Sequence, residues 1–432
     1  MATVYPFHGY RYNPEKVSDL NNVVTQPYDK IDSKKQESYY QSSDYNIVRL
    51  ILGKGEPGKN KYEKAAEYLD GWLDNDIIVQ EDEACFYAYY QEYEVEGEKR
   101  IRKGFIGLGE LEGEDGVKAH ENTMEGPKAD RLNLMRATEA NFGHIFMLYS
   151  DSQRKIINLL NKVTDNDEPL AVVKDEDDNV HKVWKITDSE IMASIQKHMK
   201  DKTLYIADGH HRYQTAVNYR NECLEKGWKS NGIEGFNNRL MTFVNIDDPG
   251  MSILATHRLV YGIDNFDEDK LLQKAERDFV INKYNRKDEL YNKMDEDKGL
   301  KHTFGFKASD GEHYYSMTLR DESIMDLLLP AKEEVWKNLD VVILHKAILE
   351  RYLDIDEEAL AAKENTAYVR YRDQALAELE QGDYQAVFLL NPTQVEEVKA
   401  VADKNTRMPQ KSTDFYPKLL TGLVLNKLDI QK

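Results

Sequence analysis

The stretch Thr203-Leu204-Tyr205-Ile206-Ala207-Asp208-Gly209-His210-His211-Arg212-Tyr213 decides the reading of the fold. Thr203–Ala207 is a short apolar run of strand length, closed by a glycine turn. Beyond the turn, Tyr213, Ala216, Val217, Arg220 and Leu224 recur at spacings of three and four, which predicts a helix with one packed side. A strand, a tight turn and a helix in succession point to an α+β (mixed α/β) fold of central mixed sheets with packed helices. A concave site is expected near the carboxyl end of the Thr203–Ala207 strand.

Working outward, the run Ile47–Leu52 reads as a strand with one charge, Arg49, inside it. Helical spacing at Tyr62, Ala65, Ala66, Leu69 and Leu73 predicts a packed helix. The aromatic-rich Ala84–Glu94 and the Arg102–Leu111 run flank a charged turn and predict a hairpin. Pro127 suits the first turn of a helix running through Arg136, where its missing N–H costs nothing. Strands are expected at Phe146–Tyr149, Leu240–Ile246, Ile253–Val260, His302–Phe306, Tyr314–Leu319 and Ala386–Leu390. Helices are expected at Glu190–His198, across the charged Asp264–Lys301 segment, and around Glu333–Leu353 and Tyr368–Glu380.

The 432 residues suffice for two or three domains. The expected division is 1–115, a mixed α/β region; 116–265, a motif-bearing core with the anion or nucleotide site; and 266–432, an α/β region that contributes Lys411–Thr413. An apolar fraction of 41% beside 31% charged residues describes a soluble globular chain and excludes a fibre, a membrane bundle or a mostly disordered polymer. The formal charge of −20 disfavours broad nucleic-acid binding, while a local basic pocket can still hold one small anion. Cys85 and Cys223 have no CxxC spacing and read as buried free thiols. The opening MATVYPFHGYRY has no apolar signal core and no run approaches the ~18 residues of a membrane span, so cytoplasm is the default compartment.

The Asp208–Arg212 turn carries the densest chemistry. Gly209 permits the tight backbone turn, and the first N–H groups of the helix favour an anion. Arg212 adds a clamp for phosphate or carboxylate, and Asp208 a base or cation ligand, with His210 and His211 as acid/base groups. The structural alternative is that Asp208 caps the helix, the histidines bond to backbone, and Arg212 pairs with an acid. A second cluster joins His120, Glu121, Thr123, Lys128, Asp130 and Arg131. Lys128 and Arg131 share a face near the positive end of the helix after Pro127, which an anion would make tolerable. A solvated helix face with ordinary ion pairs is its alternative.

His257 and Arg258 lie in an apolar run and alternate onto opposite faces, so at most one lines a site. Lys411-Ser412-Thr413 has no glycine before it and is not a Walker loop, but can add to a shared anion pocket. Adjacent His210 and His211 do not suit zinc. Magnesium carried by nucleotide phosphates and one carboxylate, Asp208, Asp130 or Glu121, is the more natural metal. No GxSxG elbow or GxGxxG order occurs, and GFIGLG reads as a strand with permissive glycines.

The blocks YPFHGYRY, QPYD, NIVRLILG, HENTMEGPKADRLNLMRATEANFGHIF, ADGHHRYQTA, DDPGMSILATHRLV and MPQKSTDFYPKLLTGLV stand in order along nearly the whole chain. In them the chain resembles the bacterial and archaeal family catalogued as domain of unknown function number 1015, a membership that brings no settled activity. Locally, Ile206–Tyr213 is similar to the DGHHR element of the superfamily joining partition-protein nucleotide domains, sulfiredoxin and archaeal free-serine kinase. That resemblance implies a related core in which Gly209 and the following N–H groups hold phosphate, Arg212 clamps it, and Asp208 or His210 assists transfer. No segment matches the kinase's catalytic acid or the cysteine site of sulfiredoxin.

The expected function is nucleotide-dependent phosphotransfer or phosphate-ester chemistry on a small metabolite, with ATP or ADP and magnesium as cofactors. The alternative is a regulatory protein that binds a nucleotide or anionic metabolite without turnover. The expected catalytic groups are Asp208, His210, His211 and Glu121. The expected cofactor-binding groups are Gly209, Arg212, His120, Thr123, Lys128, Arg131, Arg49, Lys411, Ser412 and Thr413. No nucleic-acid or membrane partner is expected.

Overall fold

In a computed structural model, which describes residues 2–111, 116–119, 125–362, 364–404 and 406–432, the aromatic-rich run after Cys85 forms the expected hairpin. Its turn places Glu96 and Gly97 both at positive φ, 53° and 78°, the conformation that matches the twist of two tightly joined strands. The hairpin is the middle of a nine-stranded sheet. Its strands are β1 (Val4–Tyr5), β2 (Phe86–Val95), β3 (Glu98–Glu110), β4 (Val117–Lys118), β5 (Ile145–Tyr149), β6 (Ala171–Lys174), β7 (Val180–Ile186), β8 (Leu204–Asp208) and β9 (Asn238–Asn245). The spatial order is β4-β8-β5-β9-β3-β2-β7-β6, with β1 beside β3. The pairs β4–β8 and β5–β9 are parallel and the rest antiparallel, so the sheet is mixed.

Helices α1 (Ser33–Ser42), α2 (Val48–Ile51), α3 (Lys61–Asp74), α4 (Glu125–Thr138), α5 (Lys155–Thr164), α6 (Ser189–Met199) and α7 (His210–Glu225) belong to the same compact unit. Its core joins apolar side chains of the sheet, among them Phe86, Phe105, Met147, Ile206 and Phe243, to Ile156, Ile195 and Tyr219 of α5, α6 and α7. The glycines of GFIGLG lie in β3, as the strand reading expects. A Cβ at Gly107 would stand 2.7 Å from the Phe86 ring, which is wholly buried.

The second unit spans Ser252–Tyr416. Strands β10 (Ser252–Leu254), β11 (His257–Val260), β12 (Phe279–Tyr284), β13 (Thr303–Ala308), β14 (Tyr314–Leu319), β15 (Thr366–Val369), β16 (Ala386–Leu389) and β17 (Asp414–Tyr416) lie here. Six of them form an antiparallel sheet ordered β12-β14-β13-β16-β11-β15, while β10 pairs with β17. Helices α8 (Glu268–Ala275), α9 (Lys287–Asp297) and α10 (Arg372–Glu380) belong to this unit, and Leu290, Met294, Leu376 and Leu379 pack with Leu259, Val387 and Leu389. No helix among the described residues is long and apolar enough to cross a membrane.

Several elements depart from expectation. Ile47–Leu52 is not a strand: Val48–Ile51 is a helical turn, begun where Asn46 accepts the Val48 N–H at 2.9 Å, and a short apolar run has no periodicity to separate the two. The Asp264–Lys301 segment contains β12, an edge strand whose charged and exposed residues hide its period. Ile253–Val260 is two strands in different sheets, and Thr366–Val369 is a strand where the helix was expected to begin. The packed face of α7 runs through His210, Arg212, Thr215, Ala216, Tyr219 and Cys223, leaving Leu224 exposed. The two units also divide the chain differently from 1–115, 116–265 and 266–432: β3 pairs β9 across residue 115, and Pro417–Lys432 returns to the first unit.

Gly107→Ala is expected to destabilise the protein by about 1–3 kcal/mol, since a buried aromatic ring and the strand backbone must shift to admit one methyl group. Urea unfolding checks this, and an unchanged midpoint would show that the ring can yield.

Candidate functional site

Strand β8 ends at Asp208 after a break in its register with β5: Ile206 faces Met147, whereas Asp208 faces Phe146. Such a bulge re-aims the side chains that follow it. Gly209 then takes φ 95°, a left-handed conformation that L side chains resist, and α7 begins at His210. The N-cap position belongs to Gly209, so Asp208 stands one residue before the cap that the structural alternative gave it.

Asp208 is instead the centre of a charge network. Its carboxylate accepts from Arg212 Nη2 at 2.6 Å and from Lys418 Nζ at 3.3 Å. Burial alone would push the carboxyl up, but Lys418, Arg212 and Lys30 outweigh it and hold the group well below the usual carboxylate range. Arg212 also donates through Nη1 to the carbonyl of His144 at 2.6 Å. Its guanidinium fits because two glycines make room: a Cβ at Gly209 would stand 3.0 Å from Nη2, and one at Gly143 3.1 Å from Nη1.

His211 is half-buried, and its imidazole is pushed below the ordinary value first by burial and then by Lys128 and Arg212, against the opposing pull of Asp29 and Asp208. His210 is buried. Tyr28 feels Arg212, Asp29, Arg131 and Asp208, and Arg131 stacks over its ring at 4.1 Å. Arg131 donates to the Ile51 carbonyl at 2.7 Å and pairs with Asp130. Asp130 is also held by Lys61 at 2.6 Å and by the Tyr62 hydroxyl at 2.8 Å.

The structure therefore brings Asp208, Gly209, His211, Arg212, Lys128 and Arg131 into one region. Arg49 is engaged elsewhere in the same unit, donating to Asp44 and the Tyr40 carbonyl at 3.0 Å each. His120, Glu121 and Thr123 lie outside the described residues. Lys411, Ser412 and Thr413 belong to the second unit, where the Lys411 carbonyl accepts from the buried Arg258 and Ser412 Oγ donates to the Pro409 carbonyl. Arg258 also donates to Nε2 of His345 at 3.3 Å, and His257 accepts the Leu390 N–H, so both are structural where they stand. Asp208 and Asp130 each carry two cations, which argues against either as a magnesium ligand. Among the described residues no group of three His, Cys, Asp or Glu side chains is placed to hold a metal ion.

Sequence reasoning missed five contributors. Tyr28, Asp29 and Lys30 follow Pro27 in a single helical turn, and the QPYD block was their only signal. Lys418 is buried, and no local pattern marks it. Arg239 sits in β9 between Asn238 and Leu240, where strand alternation gives a buried arginine no signature. Burial, then Arg212, pushes its guanidinium down to about 9.

Replacing Asp208 by Asn leaves the Arg212 and Lys418 cations without their shared carboxylate. The expected loss is about 3 kcal/mol, the low end for breaking a buried pair because the Asp208 side chain is 23% exposed. Its folded pKa is depressed, so this stability is complete above the unfolded value near 3.9 and is lost as pH falls through the lower folded value. Urea unfolding from pH 6 to pH 3 is expected to show a shallower acid-side decline for the variant. Parallel curves would remove the carboxylate from the network.

Comparison with known proteins follows the geometry. A solved free serine kinase in complex with AMP is similar at 13% identity and a TM-score of 0.34, over 73% of this chain and 91% of that one. A conserved hypothetical protein from Pyrococcus furiosus is similar at 14% identity and a TM-score of 0.33, over 71% and 89%. SbnI with a C-terminal truncation from Staphylococcus aureus matches at 13% and 0.34, over 73% and 85%. Likenesses of this depth carry no argument about activity. No curated protein matches the chain. The model described as Protein of unknown function (DUF1015) matches residues 4–342, well over half of the 432, and the chain belongs to that family.

Proposed function

We propose that this protein binds ATP, ADP or a small phosphorylated metabolite at the Asp208–Arg212 turn and transfers a phosphoryl group there. The observation that carries the reading is a local gathering of cations. In a chain of net charge −20, Lys30, Lys128, Arg131, Arg212 and Lys418 lie around the turn, beside Asp29, Asp130 and Asp208. Phosphoryl transfer asks a protein mainly for positioning and neutralisation, and this set of cations can supply the second. The first turn of α7, opening at Gly209, is the natural seat for a phosphate.

His211 is the proton acceptor in this reading. Its lowered pKa keeps the imidazole neutral at pH 7, so it can take the proton of an acceptor hydroxyl or amine as the new bond to phosphorus forms and the bond to the leaving nucleotide oxygen breaks. Asp208 acts through Arg212 as a positioning residue, a different role from the base assigned to it on sequence grounds. The reaction is routed through side-chain cations, with no step assigned to a metal. The matching of Asp208 to two cations also favours a second reading, a regulatory nucleotide binder without turnover.

The test combines thermal shift with a turnover assay across alcohol and amine metabolites. ATP or ADP is expected to raise the wild-type unfolding midpoint, and Lys128→Ala to lose most of that gain. His211→Ala is expected to keep the shift and lose turnover together with the acid limb of its pH profile, which lies below the usual imidazole range near 6.5. Stabilisation without turnover in the wild type selects the regulatory reading. No stabilisation by any nucleotide or phosphorylated metabolite overturns both.

A further inference from the structure

A cavity of about 50 Å³ adjoins the turn, lined by Arg131, Arg212, Arg239, Tyr28 and Thr421 among otherwise mostly apolar side chains. Two of its three guanidinium groups are matched, Arg131 by Asp130 and Arg212 by Asp208. Arg239 pairs with no carboxylate among the described residues. Its Nη2 donates to the Gly143 carbonyl at 3.0 Å, and its buried Nε and Nη1 have no hydrogen-bond partner among the described residues. Arg239 is only 4% exposed, so water does not screen the charge. A guanidinium in that position costs several kcal/mol unless something neutralises it. Its depressed pKa reflects the same strain: burial and the neighbouring Arg212 both disfavour the charged form.

We propose that this cavity is a subsite for one compact oxyanion, the carboxylate or phosphoryl group of a small metabolite, with Arg239 as its buried counter-charge. Of the three arginines, Arg239 alone has no carboxylate among the described residues, and a single anionic group would supply its counter-charge. Size narrows the choice further. A cavity needs about 10–15 Å³ to hold one water, so 50 Å³ takes a group of a few heavy atoms and excludes a nucleoside. The Tyr28 and Thr421 side chains line the same space and bring hydroxyl groups suited to an oxyanion's remaining lone pairs. Arg212 is common to the cavity and the turn, so a ligand seated here lies beside the Asp208 network. The subsite goes beyond the phosphotransfer reading, because it rests on the unmatched Arg239 and stands whether or not the turn supports turnover.

The experiment measures unfolding midpoints of the full chain at constant ionic strength with chloride exchanged for inorganic phosphate or for propionate. At least one anion is expected to raise the wild-type midpoint by about 2–4 °C, and whichever does so identifies the group as phosphoryl or carboxylate. Arg239→Met is expected to lose the shift. In chloride its own midpoint is expected to be no lower than the wild type's, because an apolar side chain replaces an uncompensated buried charge. Should that variant fail to fold, Arg239→Lys keeps the charge and alters the donors, and its anion shift is expected to fall below half of the wild-type value. The proposal is overturned if neither anion shifts the wild type, or if the available variant shows the full shift. Neither nucleotide nor turnover enters the measurement, so its failure leaves the phosphotransfer reading standing, and failure of that reading leaves the subsite standing.

Discussion

The guanidinium of Arg212 is the constraint around which the first unit's site is arranged. It is clasped between the positions of Gly143 and Gly209, where a side chain on either would crowd it at about 3 Å. From there it ties the Asp208 carboxylate at the end of β8 to the His144 carbonyl just before β5. Lys418 closes the network from the C-terminal segment. One planar cation thus ties Asp208 to the remote His144, with donors fixed in direction that cannot relax around a misplaced partner, and Asp208 in turn holds Lys418. The bulge in β8 serves the same end, because it sets where Asp208 emerges from the sheet.

Charge distribution gives this arrangement its chemical character. The chain as a whole is strongly acidic, yet the region around the turn collects lysines and arginines, several of them buried. Exposed cations would be screened by solvent and salt at little cost. Buried ones demand partners, and the structure answers with Asp130 and Asp208, while Arg239 has no carboxylate among the described residues. The histidines follow the same field. His144 is held down to about 4 by burial despite donating to the Val424 carbonyl, and His211 lies below its usual range for the same first reason. These two imidazoles are therefore held toward the neutral form at physiological pH, in which one ring nitrogen donates and the other can accept.

The second unit uses some of the most distinctive sequence for its own support. On sequence grounds Lys411–Thr413 is expected to add to a shared anion pocket, yet the Lys411 carbonyl helps to hold the buried Arg258, and Ser412 turns back onto Pro409. Arg258 is satisfied by two backbone carbonyls and the ring of His345. Backbone acceptors at this density let a guanidinium be buried without an acid. That is a structural use of arginine which no residue pattern separates from ligand binding.

Local order was legible in the sequence because it depends on near neighbours. The strand from Leu204, the glycine turn and α7 were readable from an apolar run, a residue that accepts positive φ, and a helical period. The hairpin of β2 and β3 and the helix carrying Lys128 and Arg131 were readable in the same way. Ile47–Leu52 and β12 were not, one because five apolar residues around an arginine carry no period and the other because an exposed edge strand looks like a solvated helix. The sequence by itself determined which residue types meet at the Asp208 turn and that a mixed fold would present them. Only the tertiary structure decided which charges are matched. Lys418 reaches Asp208 across 210 residues, and Arg239 joins Arg212 in one cavity from another strand of the sheet. Whether a buried charge finds a partner depends on that long-range packing, and the energy of an unmatched charge depends on the water excluded around it, neither of which a local pattern encodes.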